Sequence, residues 1–383
     1  MCSTAVSPHR RPVVLLLVSG FVLGLLLLTE VKHDFRNILY FHLAKRKDQN
    51  TILPPLNLTY SSPKLIIDWT GFFGGTVANT WRKQRKLCPE LNCSISRNRS
   101  LAEKADAVLF HGRDMSDFVK IPNVRHPWQR YVFYLLESPM HTYLDLRKGN
   151  NFFNWTMTYR HDSDIWWPYE SMHQNQSQDL TDYEKAVKLT KTKSKLVVQF
   201  VSNCHTSSNR EHYVKTLQKY IPVDVYGACG KLECSSSNAS ACYSLLSSDY
   251  KFYLAFENSI CLDYVTEKFF KMKHFLVPVV LRGSDAAGIG VPEGSYVAAD
   301  KFNSAKQLAN YLKLLNNNQT EYLRYFEWRK NWTISNFDHQ TAFCALCRKL
   351  HEDREKKIYA DLHHWWRTEA KCVSNFAKKI AGV

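Results

Sequence analysis

Nine short apolar runs, four before a polar Lys-rich stretch and five after it, set the strongest limit on how this chain can fold. The first four lie at residues 65–69, 107–111, 131–137 and 155–159, and the polar stretch covers 174–194. The other five lie at 196–202, 223–226, 252–256, 277–281 and 296–298. They are near-continuous rather than alternating, so each is buried on both faces, which is the pattern of a parallel sheet sandwiched by helices. Helical segments separate them. Residues 209–220 place Tyr213, Leu217 and Tyr220 on one stripe. Ser304 stands as the cap of a helix whose apolar face is Leu308, Tyr311, Leu312 and Leu315. Thr266 and Glu267 open a third helix before Phe269 and Phe270. Strand–helix alternation on both sides of a linker near 175–195 predicts two doubly wound α/β domains. Ligands of such domains bind beyond the carboxyl ends of the strands, so the residues just past each run carry the functional information.

The chain has 383 residues, 45% of them hydrophobic, enough for about two domains. Its net charge of +16 favours an anionic partner: nucleic acid, an acidic membrane face or a phosphate-bearing substrate. The densest basic clusters, Lys191, Lys193 and Lys195, then Lys356 and Lys357, are short and read as solvated surface. No zinc-finger spacing, basic zipper or RNA-recognition aromatic motif is present, so nucleic acid is not the expected partner.

Arg10, Arg11 and Pro12 precede a charge-free run at 13–28. At about 1.5 Å per residue it reaches about 24 Å, suited to the thinner membranes of the early secretory pathway. No small-x-small cleavage site follows, so the run reads as an uncleaved signal-anchor with its arginines in the cytosol. Residues 32–63, with Pro54-Pro55, read as a stem. Everything beyond lies in an oxidising lumen. Sequons at Asn57, Asn92, Asn98, Asn175, Asn238, Asn318 and Asn331 are candidates for glycosylation, whereas the one at Asn154 lies inside a strand. Cys88-x4-Cys93 and Cys344-x2-Cys347 have spacing that zinc could use, but in a lumen disulfides linking the two ends of the chain are the expectation.

Three strand ends carry chemistry. Glu137 closes the run 131–137 before Ser138-Pro139, and a carboxylate partly shielded from water is a better base. Arg210 lies in the first turn of a predicted helix, where the dipole disfavours a cation unless an anion joins it, and a diphosphate would satisfy both. Phe256-Glu257-Asn258-Ser259 and Asp263-Tyr264-Val265-Thr266-Glu267-Lys268 gather carboxylates, an amide, a phenol and a cation. There Lys268 can neutralise phosphate, while Glu267 and Asn258 can read sugar hydroxyls. No P-loop or G-x-G-x-x-G precedes these helices. Asp162-Ser163-Asp164 is a D-x-D, a weak metal signal that an Asp-rich turn also produces.

Taken together, these blocks resemble the α1,3-fucosyltransferases of the secretory pathway, glycosyltransferase family 10. The resemblance spans about residues 64–350. It rests on Leu109-Phe110-His111-Gly112-Arg113-Asp114, Glu137-Ser138-Pro139, residues 153–160 with Asp162-Ser163-Asp164, Val201-Ser202-Asn203-Cys204 with Asn209-Arg210-Glu211, residues 223–227, and the Phe-Glu-Asn-Ser…Asp-Tyr-x-Thr-Glu-Lys block. It implies an α/β fold of the GT-B type, two Rossmann-like domains facing across a cleft. The implied division is a cytosolic tail at 1–12, a transmembrane helix at 13–31, a stem at 32–63, an acceptor-side domain at 64–185, a GDP-fucose-binding domain at 186–350 and an extension at 351–383. It further implies inverting transfer from GDP-fucose to the 3-hydroxyl of GlcNAc in glycoprotein glycans, at the Golgi membrane, in a single-pass type II protein with a luminal catalytic domain. Glu137 would be the general base, and Arg210 and Lys268 would stabilise the departing GDP. Tyr264, Glu267 and Asn258 would line the donor, and Tyr226 would serve the nucleoside. No metal is required, although Mn2+ stimulates many members. Two alternatives stand beside this reading: a metal-dependent sugar-nucleotide transferase built on Asp162 and Asp164, and a non-catalytic glycan-binding membrane protein.

Overall fold

The computed structural model describes residues 62–382 except 85–87, 89–90, 116–120, 176–179, 235–238 and 336–338. The expected cytosolic tail, the anchor, all but the last two residues of the stem, and the sequons at Asn57 and Asn238 lie outside the described residues. Residues Thr59–Val383 form one compact unit.

The first sheet is built from β1 (Lys64–Asp68), β2 (Cys93–Ser96), β3 (Ala107–His111), β4 (Arg130–Leu135), β5 (Trp155–Thr158) and β6 (Ile165–Trp166). All its pairings are parallel, in the order β2-β1-β3-β4-β5-β6. After β7 (Ser171–Gln174), the second sheet is formed by β8 (Lys195–Phe200), β9 (Val223–Tyr226), β10 (Tyr250–Leu254), β11 (Val277–Val280) and β12 (Val297–Ala298). It is also parallel, in the order β12-β11-β10-β8-β9. Counted within each sheet, both share one winding: the second strand lies outside the first, and the third lies on the first strand's other side. β3 and β10 are buried at every position, Lys251 included, consistent with strands covered on both faces.

Among the described residues the α-helices are α1 (Val77–Gln84), α2 (Thr181–Thr190), α3 (Arg210–Leu217), α4 (Ala239–Asp249), α5 (Gly283–Gly288), α6 (Ala305–Asn317), α7 (Gln319–Arg324), α8 (His339–Glu352) and α9 (Phe376–Ile380). Ser304 caps α6 through the Gln307 N–H, and Leu308, Leu312 and Leu315 face the core. Three readings of the sequence need correction. The stretch 174–194 is not a plain linker: it holds β7's last residue and α2, whose Ala186 is buried in the second core, and β7 pairs antiparallel with β13 (Trp332–Ser335). Tyr220, expected on the apolar stripe of α3, is 37% exposed, because the helix stops at Leu217. No α-helix starts at Thr266. Its N–H and hydroxyl both donate to the Glu257 carboxylate, and a 3-10 helix begins only at Phe269.

The carboxyl-terminal chain crosses between the two cores. α8 packs on α1 and β1, and Ala342, Phe343 and Leu346 join the first core. Cys88–Cys344 and Cys93–Cys347 tie α8 to that core, so the four cysteines are bonded in cross pairs rather than free as thiolate ligands. Leu362, Trp365 and Trp366 also enter the first core, whereas Ala377 on α9 enters the second.

Candidate functional site

In each sheet the crevice between the first and third strands is where the winding changes direction. In the second sheet it opens between the ends of β8 and β10. Asn209 adopts a left-handed conformation (φ 61°) just before α3. Ser208, buried beside it, donates its N–H to the Asn258 carbonyl (3.0 Å) and its hydroxyl to the Glu257 carbonyl (2.7 Å). This turn points Arg210 back across the crevice. Its guanidinium donates to the Phe256 carbonyl at 2.6 Å and to the Asn203 carbonyl at 3.2 Å, one group beyond each strand. Arg210 is 3% exposed, and its Nε–H has no partner. Burial lowers its pKa from the ordinary value, opposed by Glu257 and Glu211. A buried guanidinium with an unsatisfied donor is a site prepared for an anion.

Lys268 faces the same crevice. Its ammonium lies 3.2 Å from Glu257 and 3.0 Å from Glu267, and donates to the Thr266 hydroxyl at 2.9 Å. Burial pushes its pKa down, but the two carboxylates outweigh burial and the net shift is upward. Glu257 is pushed up by burial, against the pull of Lys268. For exposed Glu267, desolvation pushes up but Lys268 wins, and its pKa falls. Sequence reasoning gave Glu257 no role. It is the buried carboxylate that holds both Thr266 and Lys268, and the signal was its position just after the apolar run 252–256. Asn258 contributes a buried side-chain oxygen without a partner.

Glu137, half-buried, follows β4 and leads into the turn Pro139–His141. That turn touches the donor loop: Ser138 donates its hydroxyl to the Ser259 hydroxyl at 2.8 Å, and His141 Nδ1 lies 3.0 Å from Ser138 Oγ and 3.3 Å from Ser259 Oγ. Burial lowers the His141 pKa; the Glu137 charge opposes this, and Arg113, Arg210 and Lys268 reinforce it. One imidazole therefore lies within electrostatic reach of the expected base and of both expected cations. Tyr264, buried with its ring 5.0 Å from that of Tyr159, also senses Glu137 and Glu257; burial is the main cause that raises its pKa. The structure thus gathers Glu137, Arg210, Lys268, Tyr264, Glu267 and Asn258 around one region.

Tyr226 is not among them. It is buried in a third cluster, with Val198, Tyr253 and Phe269, its hydroxyl 3.2 Å from that of Tyr250. Its strand neighbours Asp224 and Val225 instead help line a hollow of about 750 Å³ that also includes Arg210, Asn203 and Gly230. A Cβ at Gly230 would meet the Val225 carbonyl at 1.8 Å, so only glycine allows this wall.

Asp162 and Asp164 are engaged by the chain's own groups. Asp162 accepts from Arg160 at 2.9 and 2.6 Å and from Trp365 Nε1 at 3.0 Å. Asp164 accepts from the Thr156 N–H (3.0 Å), Lys357 (2.6 Å) and the Tyr359 hydroxyl (2.9 Å). Both read as structural turn residues rather than a metal pair. Asn154 is buried, donating to the Lys357 carbonyl and accepting from Arg125 and the Tyr131 N–H, while Asn98 and Asn318 cap helices.

Residues 190–365 match the family described as glycosyltransferase family 10 (fucosyltransferase) C-term, and residues 61–170 match fucosyltransferase, N-terminal. The chain is 38% identical over 294 residues to glycoprotein 3-alpha-L-fucosyltransferase A of Drosophila melanogaster, an alignment covering 75% of this chain and 57% of that protein. It is 36% identical over 349 residues to alpha-(1,3)-fucosyltransferase C of the same organism, covering 82% of this chain and 80% of that one. A crystal structure of alpha1,3-fucosyltransferase with GDP-fucose shares the fold at a TM-score of 0.50 and 15% identity, covering 78% of this chain and 94% of that chain. Taken with the matched regions and these identities, the two parallel sheets and the cations at the second crevice lead to one assignment: the chain belongs to glycosyltransferase family 10, the fucosyltransferases.

Proposed function

We propose that the protein transfers L-fucose from GDP-fucose to the 3-hydroxyl of a GlcNAc residue in glycoprotein glycans, with inversion at the fucose C1. The observation that carries this reading is buried Arg210, with its unpartnered Nε, at the second crevice, with His141 within electrostatic reach of both Arg210 and Glu137. The two sheets act as the two lobes of a GT-B enzyme, acceptor side first and donor side second. Relatives named as α1,3-fucosyltransferases, and a neighbour solved with GDP-fucose, support the donor and the linkage.

The chemistry follows from the groups. Glu137 accepts the acceptor hydroxyl's proton as its oxygen bonds to C1, and the C1–O bond to the diphosphate breaks on the opposite face. Attack from one face and departure from the other give inversion. The transition state is oxocarbenium-like, as in glycoside hydrolysis, with an alcohol in place of water. Arg210 and Lys268 take up the charge that develops on GDP, and Tyr264, Glu267 and Asn258 line the donor. Ion pairing to Glu257 and Glu267 keeps Lys268 charged and oriented before the donor arrives. With side chains meeting the leaving-group charge, no metal is required, and Mn2+ acts only as a stimulant. The site faces the Golgi lumen behind a type II anchor; the five disulfides among the described residues support an oxidising compartment.

The test is transfer from GDP-fucose across a glycan array, with linkage analysis by mass spectrometry, before and after EDTA treatment. Fucose α1,3-linked to GlcNAc, with transfer persisting after EDTA treatment, is expected. Neither transfer nor GDP release on any acceptor would overturn the reading, and activity abolished by EDTA would overturn its metal-free part.

A further inference from the structure

The two loops that present the donor-side cations share a support that lies outside both sheets. Loop 258–262 is bonded to the carboxyl-terminal chain. The Leu262 N–H donates to the Ala370 carbonyl at 2.8 Å, and the Val373 N–H donates to the Ile260 carbonyl at 2.8 Å. The disulfide Cys261–Cys372 lies between these two bonds. The same strand of chain then reaches the turn before Arg210. The Asn375 N–H donates to the Ser207 carbonyl at 2.7 Å, and the Ala377 N–H donates to the Ser208 carbonyl at 2.9 Å. Asn209, in the left-handed conformation that aims Arg210, donates its side-chain N–H to Asn375 Oδ1 at 2.7 Å.

A few residues earlier, this chain holds the other side of the site. Trp366 Nε1 donates to the Thr142 hydroxyl at 2.9 Å, and Arg367 donates to the Thr142 carbonyl. Thr142 caps the turn Pro139–His141 that Glu137 leads into. One continuous segment, 366–377, therefore touches the turn of the base and both loops of the donor.

We propose that segment 366–377 is a strap that sets the placement of the donor loops, with Cys261–Cys372 and Asn375 as positioning residues for binding of the GDP moiety. This rests on the donor reading given above. The contacts are made to loop backbone beyond the strand ends, where they fix the direction of Arg210 and of the loop leading to Lys268. Asn375 is itself exposed, so its side-chain bond to Asn209 adds loop order rather than core volume.

The experiment compares two disulfides in the full-length chain. Cys88–Cys344 joins α8 to the first core, so C88S/C344S is the structural comparator. GDP affinity by calorimetry, KM for GDP-fucose, KM for the acceptor, and Tm are measured for this variant, for C261S/C372S and for Asn375→Gly. Glycine keeps the left-handed backbone of Asn375 (φ 58°) and removes only the side-chain bond. The strap predicts that C261S/C372S weakens GDP and raises the donor KM about tenfold or more, with the acceptor KM unchanged. Asn375→Gly should weaken GDP about threefold at nearly unchanged Tm. C88S/C344S should lower Tm and leave GDP affinity alone. GDP affinity unchanged in Asn375→Gly, or falling with Tm equally in both disulfide variants, would overturn the strap. If the unaltered chain binds no GDP at all, the donor reading fails, and the strap proposal falls with it; loss confined to the variants separates the two.

Discussion

The two sheets are wound alike, yet their crevices are finished differently. Beyond β1 and β3 the first crevice is occupied by its own side chains. Thr70 accepts the His111 N–H at 2.7 Å, and the Tyr134 hydroxyl donates to the Gly71 carbonyl at 2.7 Å. The Phe72 ring lies 4.9 Å from that of His111 and 6.3 Å from that of Trp167. His111 is buried beside Asp114, and burial lowers its pKa. Beyond β8 and β10 the second crevice instead holds a buried guanidinium with a donor left over and an ammonium neutralised only by its own carboxylates. Shared topology therefore does not decide which sheet binds a nucleotide. Both crevices keep buried polar atoms without a partner, Asp68 Oδ1 and His111 Nε2 in the first and Arg210 Nε in the second, so the difference is one of charge: the second presents a buried guanidinium and an ammonium, the first a buried carboxylate beside a histidine.

The largest expected effect breaks the comparison on its catalytic side. Glu137→Gln should lower turnover about a thousandfold, within the range for loss of a general base, while GDP affinity by calorimetry stays unchanged. Retained turnover would clear Glu137 of the role. Next, Lys268→Met should weaken GDP by about 2 kcal/mol, roughly thirtyfold. Because this change leaves Glu257 buried without its cation, the double variant E257Q/K268M should recover stability without recovering affinity; recovered affinity would mean that Lys268 acts only through Glu257.

A third prediction contrasts two buried cations of the second sheet. Arg210, at the carboxyl end, lies among carboxylates. Lys193, at the amino end, is buried rather than solvated as its Lys-rich stretch suggested; it donates to the Tyr250 carbonyl at 2.7 Å, and burial brings its pKa down to about 7. Between pH 7 and about 10.5 the unfolded chain holds a proton on this lysine that the folded chain has released, so Lys193 makes stability rise with pH there, by at most about 1.4 kcal/mol per unit. Denaturation of Lys193→Met followed across that window should lack this rise; identical slopes would refute it. The smallest effect belongs to the first crevice. Tyr134→Phe removes one buried hydrogen bond, which should lower stability by about 1 kcal/mol and leave GDP affinity untouched. A change in GDP affinity would show that the first crevice takes part in donor binding.

Much of this architecture was legible in the sequence for a plain reason. Strands buried on both faces leave uninterrupted apolar runs, and a charge at the end of such a run, as at Glu137 and Glu257, stands out. β2 was not legible, because Cys93–Ser96 is short and only Ile95 is buried. The helix α2 was hidden by its lysines, since only Ala186 and Thr190 are buried. The Tyr226 side chain was not placeable, because a tyrosine ending a strand reads the same whether it faces a cleft or a core. The strap was hard to read for another reason: four of its bonds run between backbone groups, which leave no mark on residue type, and its side-chain bonds join residues far apart in sequence. Which loops Cys261 and Cys372 join is likewise visible only in the fold.

The most direct measurement is a structure of the protein with GDP bound. The diphosphate should lie in the crevice beyond β8 and β10, within hydrogen-bond distance of Arg210 Nε and Lys268 Nζ, with the Glu137 carboxylate facing the fucose side. A diphosphate seated beyond β1 and β3, or Glu137 turned into bulk solvent away from those cations, would contradict the account.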